Sequence, residues 1–172
     1  HIQTRESAGI FDISHMGQIV IKGPDSIKLL EELTPTHVGT IKPGKVKYSF
    51  FLQNDGGIID DLMITNADGF YYLVVNASRT SVGMNLLKDI NKKFSNASIK
   101  LLSENGMIAL QGPKAEEVLS KFFPKVDEMN FMEFSKSNFN EEEVFITRTG
   151  YTGEDGFEIS TKSHYPKTIF WN

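Results

Sequence analysis

Hydrophobic residues along the chain follow two spacings, one typical of strands and one typical of helices. Two short apolar runs each end in a Gly-Pro pair, Gly23-Pro24 and Gly112-Pro113, which ends a strand and suits the first turn of a helix. After the second pair, apolar side chains recur at the spacing of one helical face: Ala115, Val118, Leu119 and Phe122. A similar face follows the first pair: Ile27, Leu30 and Leu33. Each run therefore predicts a strand followed by a helix.

This strand, turn and helix pattern occurs twice, and the second Gly-Pro pair stands 89 positions after the first. Farther along, Asp68-Gly-Phe and Asp155-Gly-Phe each lead from a turn into another strand. A helix-like stretch follows each of these strands, at 80–90 and at 165–171. The repeat predicts two related units, although chance similarity of short turn motifs is the competing explanation.

We predict an α+β fold of two strand-helix-hairpin-strand-helix units, with antiparallel sheets and helices packed on one face. The first unit spans residues 1–102, and the second, truncated unit spans residues 103–172. The pattern fits two separate lobes and one intertwined body equally well.

A hairpin in the first unit carries the first candidate for chemistry. Its turn is Asn54-Asp-Gly-Gly, whose residues permit the positive φ values of tight hairpin turns. The strand after the turn contains Asp60 and Asp61, although aspartate is disfavoured in strands. Because neighbouring side chains on a strand point to opposite faces, the two acids have different surroundings.

Asp60 is the stronger functional candidate of the two acids. Strict alternation gives Asp60 three aliphatic neighbours on its face: Ile58, Leu62 and Ile64. The face of Asp61 ends in a more polar residue: Ile59, Met63 and Thr65. A partly desolvated carboxylate requires a hydrogen-bond partner or a ligand. The alternatives are an exposed edge strand on which both acids are solvated, and a structural aspartate bonded to backbone amides.

Three further features offer candidate residues. The segment Arg148-Thr-Gly-Tyr-Thr-Gly-Glu-Asp-Gly has glycines that let a backbone approach a ligand, and Glu154 can accept hydrogen bonds from an amino-heterocycle. It lacks the lysine of a phosphate-binding loop, and its composition also suits an ordinary hairpin. His15 stands alone before a strand, which is typical of a structural histidine. Asn76 ends a predicted strand and either places an amide at the sheet edge or caps the following helix.

Composition narrows the functional classes. The chain has no cysteine, which excludes disulfides, thiolate metal ligands and cysteine nucleophiles. Its four histidines show no metal-ligand spacing, so we predict no metal site. A net charge of −4 argues against binding to nucleic acid, and no apolar run approaches the roughly 18 residues of a membrane span.

Six short segments carry a family resemblance, and they cover nearly the whole chain in order. They are Gly9-Ile-Phe-Asp-Ile-Ser-His-Met-Gly, Pro43-Gly-Lys-Val-Lys-Tyr-Ser, Gly56-Gly-Ile-Ile-Asp-Asp-Leu, Leu73-Val-Val-Asn-Ala, Ala109-Leu-Gln-Gly-Pro-Lys-Ala and Arg148-Thr-Gly-Tyr-Thr-Gly-Glu-Asp-Gly-Phe-Glu-Ile. Together they resemble the tetrahydrofolate-dependent aminomethyltransferases, the T-proteins of the glycine cleavage system.

The resemblance implies a multidomain enzyme that binds folate in an opening between three domains. Such an enzyme moves the methylene carbon of an aminomethyl group from the lipoyl arm of H-protein to tetrahydrofolate, which gives 5,10-methylenetetrahydrofolate and ammonia. The catalytic aspartate would be Asp60, acting on a folate ring nitrogen, and Glu154 would hold the pterin amino edge. The resemblance also implies residues that line the folate pocket: Met16, Tyr48, Leu52, Val74 and Asn76. It assigns no contact to Arg148 or Tyr151.

Relatives in this family begin before a position like His1 and continue well beyond one like Trp171. We therefore expect the chain to be a piece that lacks the N-terminal start and a C-terminal part with a third domain. The expected compartment is the cytoplasm for a bacterial source and the mitochondrial matrix for a eukaryotic one.

Other folate-binding functions compete with this interpretation. A folate-dependent demethylase of sulfonium compounds and a folate-binding lobe of a methylamine-oxidising enzyme share the fold. A branch that assists iron–sulfur assembly carries a cysteine in the glycine-rich loop, which this chain lacks. Asp60 on an apolar face argues against a purely structural module.

Overall fold

The computed structural model describes residues 1–162. The α-helices are α1 (Ile2–Glu6), α2 (Ser26–Leu33), α3 (Thr80–Phe94) and α4 (Ala115–Leu119). The strands are β1 (Gly9–Asp12), β2 (Gly17–Lys22), β3 (Lys45–Leu52), β4 (Ile58–Asn66), β5 (Tyr71–Val75), β6 (Ser98–Leu101), β7 (Asn105–Gln111), β8 (Phe134–Phe139), β9 (Glu142–Thr147) and β10 (Gly156–Lys162). Short 3-10 helices span Val38–Thr40, Ala77–Arg79 and Pro124–Glu128. Within this described part, no helix is long and apolar enough to cross a membrane.

The chain forms two compact units. The middle unit is Met16–Ser103, and the terminal unit combines His1–His15 with Glu104–Asn172. The sequence predicted a single division after residue 102. The first fifteen residues instead join the terminal unit, because β1 pairs with β7 along its length.

The middle unit is a five-stranded antiparallel sheet with the strand order β3-β4-β5-β2-β6. Helices α2 and α3 cover one face, where alternate strand residues and Leu29, Leu30 and Leu33 form the core. The predicted helical face included Ile27, which is wrong. Ile27 is exposed and Leu29 is buried, because the buried face of the helix consists of Ser26, Leu29, Leu30 and Leu33, at the spacing of one helical face.

The terminal unit repeats this arrangement with the strand order β1-β7-β10-β9-β8, again antiparallel. Strands β7, β8, β9 and β10 correspond to β2, β3, β4 and β5, and β1 takes the place beside β7 that β6 takes beside β2. The predicted α+β class with two antiparallel sheets is confirmed. The helix predicted at 165–171 lies outside the described residues.

A β-bulge at the start of β4 changes the faces predicted for its acids. Asp60 pairs with Phe51, but the next pair joins Leu52 to Ile58, so that Ile59 is an extra residue. The expectation that Ile58 shares the face of Asp60 is therefore wrong. Ile58 is 61% exposed, whereas Ile59 packs against the core.

Candidate functional site

The acid pair Asp60 and Asp61 lies near the start of β4. Asp60 is buried at 6% exposure, beside the fully buried ring of its cross-strand partner Phe51. Asp61 is half-buried on the neighbouring position. Because β4 lies between β3 and β5, side chains from both neighbours reach the two carboxylates.

Asn76 connects the two carboxylates through its side-chain amide. Its Nδ2 donates to Asp60 Oδ1 at 2.9 Å and to Asp61 Oδ1 at 2.7 Å. Its backbone N–H lies 3.3 Å from Asp60 Oδ2, and Nδ2 also lies 3.3 Å from the Asp61 carbonyl oxygen. Asn76 precedes the 3-10 helix Ala77–Arg79 without a side-chain capping bond. Asn76 therefore does not cap the following helix. It places its amide at the edge of the sheet, the other role predicted for it.

Tyr48 supplies a donor from β3. Its hydroxyl donates to Asp61 Oδ2 at 2.9 Å, and its ring is 42% exposed. This hydrogen bond, with smaller contributions from burial and from the charge of Asp61, raises the pKa of Tyr48 above its ordinary value. Tyr48 therefore remains a protonated donor at neutral pH.

No positive side chain among residues 1–162 forms an ion pair with either acid. The donors to Asp60 and Asp61 are an amide, a backbone N–H and a phenol, all of them neutral. Neutral donors hold a carboxylate in place without cancelling its charge. Such a group can orient an N–H donor of a ligand and stabilise positive charge that develops beside it.

The other predicted pocket residues of the middle unit lie on the same sheet. Val74 pairs with Met63, which pairs with Tyr48, so that the three side chains form one cross-strand row. Met16 directly precedes Gly17 at the start of β2. Leu52 instead lines a cavity of about 590 Å³ with Leu86 and Ile90 of α3, on the helical side.

The glycine-rich loop of the terminal unit folds around Gln111, which is fully buried. Gln111 Nε2 donates to the carbonyl oxygen of Thr149 at 3.0 Å, and the hydroxyl of Thr152 donates to Gln111 Oε1 at 2.8 Å. A Cβ on Gly150 would lie 1.9 Å from Gln111 Oε1, and one on Gly156 would lie 2.6 Å from Nε2. These two glycines therefore leave room for Gln111, and ligand approach is not needed to explain them.

Arg148, to which the sequence prediction assigned no contact, binds residues within the terminal unit. Its Nε and Nη2 donate to both oxygens of Asp155 at 3.0 and 2.5 Å, and its Nη1 lies 2.7 Å from Glu116 Oε2. The guanidinium also lies 5.1 Å from the ring centroid of Phe157. Its hydrogen bonds to Asp155 raise the pKa of Arg148 and lower that of Asp155.

Glu154 lies in the terminal unit, and its carboxylate is held by Arg5. Arg5 Nη1 donates to Glu154 Oε1 at 2.8 Å. Tyr151 is 65% exposed, and with Arg5 and Phe11 it lines a cavity of about 400 Å³. Glu154 belongs to the terminal unit and Asp60 to the middle unit.

Sequence reasoning missed three residues: Asp61 as a bonded partner, Gln111 and Arg5. The register of the hairpin contains the signal for Asp61, because it puts Phe50 opposite Asp61 and Tyr48 two positions away. The repeat contains a signal for Gln111, because the residue before the first Gly-Pro pair is Lys22 and the residue before the second is a neutral amide. Arg5 and Glu154 are 149 positions apart, and no local pattern joins them.

Among the described residues, no group of three or more His, Asp or Glu side chains is placed to hold a metal ion. His15 is exposed, and the neighbouring Ser14 hydroxyl bonds the backbone of Met107.

Comparisons with known proteins agree with this fold. The family described as the GCVT N-terminal domain matches residues 1–172. The mitochondrial aminomethyltransferase of Dictyostelium discoideum is 39% identical over 171 residues, which are 95% of this chain and 42% of that protein. The aminomethyltransferase of Natranaerobius thermophilus is 39% identical over 164 residues, 93% of this chain and 44% of that protein.

A solved structure is also similar. The glycine cleavage system aminomethyltransferase T from Bartonella henselae superposes with a TM-score of 0.89 at 35% identity. The match covers 98% of this chain and 46% of that one. The chain thus spans less than half the length of these relatives. With the resemblance found in the sequence confirmed by profile, identity and fold, the chain belongs to the GCVT N-terminal domain family.

Proposed function

We propose that the protein carrying this chain is an aminomethyltransferase of the glycine cleavage system. It would take an aminomethyl group from the lipoyl arm of H-protein and pass its methylene carbon to tetrahydrofolate. The carbon loses its bonds to sulfur and to the amino nitrogen, and it gains bonds to two folate nitrogens. The lipoyl sulfur leaves as a thiol and the amino nitrogen as ammonia. Membership of the family and the names of its relatives support this reaction.

The proposal rests on the buried carboxylate of Asp60, whose donors among residues 1–162 are all neutral. Ionised Asp60 would accept a hydrogen bond from a folate ring N–H and orient that nitrogen toward the methylene carbon. It would also stabilise the positive charge that forms on the nitrogen during attack. The two donors from Asn76 fix the plane of the carboxylate before the substrate arrives.

The folate pocket is proposed to use the remaining residues of the sequence prediction. Tyr48 and Val74 offer an aromatic and an aliphatic surface to a flat pterin ring, and Met16 would extend it. Leu52 would contact the ligand from the helical side of the sheet. The amide hydrogens of Asn76 are bonded to the carboxylates, so its amide oxygen is the part able to accept a bond from the ligand. Glu154 would accept hydrogen bonds from the pterin amino edge.

The same proposal includes the partner and the compartment. The partner is the lipoyl-bearing H-protein, because the aminomethyl group is carried there in this reaction. A bacterial source implies the cytoplasm, and a eukaryotic source implies the mitochondrial matrix. The relatives compared above include bacterial proteins and one named as mitochondrial.

The test uses the complete gene product with aminomethylated H-protein and tetrahydrofolate, and a coupled dehydrogenase detects methylenetetrahydrofolate. Asp60→Asn keeps the shape but removes the charge, and we expect kcat to fall roughly hundredfold to ten-thousandfold. Strand β9 of the terminal unit, which corresponds to β4, begins with the acid pair Glu142 and Glu143. Glu142→Gln is the matched control and should leave kcat unchanged.

Each other outcome changes the proposal in a defined way. Equal rates in the wild type and Asp60→Asn would keep the reaction and remove Asp60 from catalysis. A folded wild type that binds folate without forming product would refute the aminomethyltransferase proposal. Assays with sulfonium and methylamine donors would then test the demethylase and methylamine-oxidising alternatives.

A further inference from the structure

The two adjacent carboxylates of β4 differ in how the protein holds them, and we propose that Asp61 is a positioning residue for Asp60. The inference rests on the proposed function, in which Asp60 contacts folate. Asp61 would act through the side chain of Asn76 and would not touch the substrate.

Asp61 is tied to the protein on two sides. Its Oδ1 accepts from Asn76 Nδ2 at 2.7 Å, and its Oδ2 accepts from the Tyr48 hydroxyl at 2.9 Å. These donors come from β3 and from the residue after β5, the two neighbours of β4 in the sheet. Asp61 therefore has a fixed orientation that does not depend on Asp60.

Among residues 1–162, Asp60 is held by Asn76. Both of its donors there, the amide Nδ2 at 2.9 Å and the backbone N–H at 3.3 Å, belong to that residue. The plane of the Asp60 carboxylate thus follows the plane of the Asn76 amide. The terminal torsion of an asparagine side chain is broad, so an amide with one partner turns easily.

Asp61 removes this freedom. An ionised carboxylate only accepts hydrogen bonds, and an amide nitrogen carries two hydrogens. With one hydrogen on each carboxylate, the nitrogen must face the acid pair and the amide oxygen must face away. Tyr48 completes the chain of contacts, because its hydroxyl donates to Asp61 Oδ2 from the neighbouring strand β3. The sequence of positioning contacts is Tyr48, Asp61, Asn76 and then Asp60.

The test measures turnover in three variants of the complete gene product. Asp61→Ala removes the side-chain acceptor at 2.7 Å and keeps the backbone carbonyl oxygen at 3.3 Å from Asn76 Nδ2, whereas Asp61→Asn keeps a neutral side-chain acceptor of the same shape. For Asp61→Ala we expect kcat to fall about tenfold to a hundredfold, with KM for tetrahydrofolate within about twofold. Asp61→Asn should recover part of this loss. Glu143→Ala, the corresponding acid of β9, is the matched control and should retain wild-type kcat.

A second measurement needs no substrate. In protein made with isotope-labelled asparagine, the side-chain amide signals of Asn76 are identified by their loss in Asn76→Ser. We expect Asp61→Ala to shift these two signals and to speed their exchange with water. Other asparagine amides should stay in place, which separates a local change from unfolding.

The proposal requires both effects. A fall in kcat without a change at the Asn76 amide, or a change at the amide without a fall in kcat, would overturn it. A wild type that forms no product would refute the proposed function instead, and the amide spectrum would still decide whether Asp61 orients Asn76.

Discussion

Two acid pairs occupy corresponding places in the two units. In each unit the pair lies at the start of the second strand of a hairpin. Asp60 pairs with Phe51 of β3, and Glu142 pairs with Phe139 of β8. Each pair therefore has the same neighbours in the fold, and a difference between them must come from side chains.

The two acid pairs differ in the side chain that contacts them from the end of the next strand. Val75 pairs with Gly17 and Thr161 pairs with Gly106, and each glycine stands six residues before its Gly-Pro pair. The residue after Val75 is Asn76, and its counterpart after Thr161 is Lys162. One acid pair thus meets a neutral amide, and the other meets a cation.

The amide and the cation have different effects on the charge of the acids they contact. Lys162 Nζ lies 3.1 and 2.9 Å from the two oxygens of Glu142, and Lys136 forms an ion pair with Glu143. These contacts cancel the charge of the carboxylates at the surface, which is typical of a structural role. The amide of Asn76 holds Asp60 and leaves its charge for a ligand.

The largest expected effect comes from replacing the amide that contacts the first acid pair with the lysine that contacts the second. Asn76→Lys puts a cation beside Asp60 and removes the amide that orients it. We expect kcat/KM in the proposed reaction to fall at least about a hundredfold, while the protein stays folded. The assay with H-protein and tetrahydrofolate measures the loss.

The reverse exchange, Lys162→Asn, is its control and should leave kcat/KM unchanged. If Asn76→Lys retained wild-type turnover, the difference between a neutral and a charged partner of the acid pair would have no effect on the reaction.

A second contrast between the units lies just before the Gly-Pro pairs. Lys22 is exposed in the middle unit, whereas its counterpart Gln111 is fully buried under the glycine-rich loop. Gly150→Ala would put a Cβ 1.9 Å from Gln111 Oε1, which hydrogen bonds hold in place. We expect a loss of about 2 kcal/mol in the free energy of unfolding, measured by urea titration.

Gly39→Ala in the middle unit is a matched control, because its Cβ would meet Ile27 at an ordinary 3.6 Å. Equal stability of the two variants would show that Gln111 moves aside easily and does not determine the loop.

Much of the fold was predictable from sequence because its signals are local. The hairpin turn, the helix after Asn76 and the repeat of the Gly-Pro pairs follow from short-range spacing and turn chemistry. The bulge at Ile59 could not be predicted, because strict alternation assumes that no residue is added to a strand. The place of β1 beside β7 could not be predicted either, because it joins segments almost a hundred positions apart.

The candidate site also has features that local sequence patterns predict and features that they do not. The burial of Asp60 followed from its aliphatic neighbours Leu62 and Ile64, which are in the core. The contact of Asp61 with Tyr48 required the register of the hairpin, which apolar patterning does not provide. The roles in folate binding came from family resemblance, because one chain's side chains do not identify a ligand by themselves.

A third contrast concerns the strands β5 and β10, and it predicts a dependence on pH. Tyr72 pairs with Val20 and Glu158 pairs with Ala109, so Tyr72 and Glu158 are counterparts. Glu158 is 6% exposed, and burial raises its pKa, although a hydrogen bond from Thr149 opposes this. A raised pKa in the folded state favours the protonated form there. The stability from Glu158 is therefore complete below the unfolded pKa and is lost as the pH rises through the folded pKa.

Glu158→Gln removes this titration and keeps a hydrogen-bonding side chain. We expect the variant to gain stability relative to the wild type as the pH rises from below the ordinary pKa of glutamate through the raised pKa of Glu158 in the folded protein. Urea titrations of both proteins across that range measure the difference. A difference that stays constant with pH would mean that Glu158 is ionised in the folded protein as easily as in the unfolded one.

The smallest expected effect is on stability, from removing the lysine that forms an ion pair with the second acid pair. Lys162→Met removes the ion pair with Glu142, whose partners are 55% and 24% exposed. Water and salt screen such a pair, so we expect the free energy of unfolding to change by less than about 1 kcal/mol. The measurement is a urea titration at low and at high salt, and the small loss should shrink as salt is added. A loss of several kcal/mol that salt leaves unchanged would show that Lys162 holds the terminal unit together through its packed stem. The two acid pairs would then differ in structural importance as well as in charge.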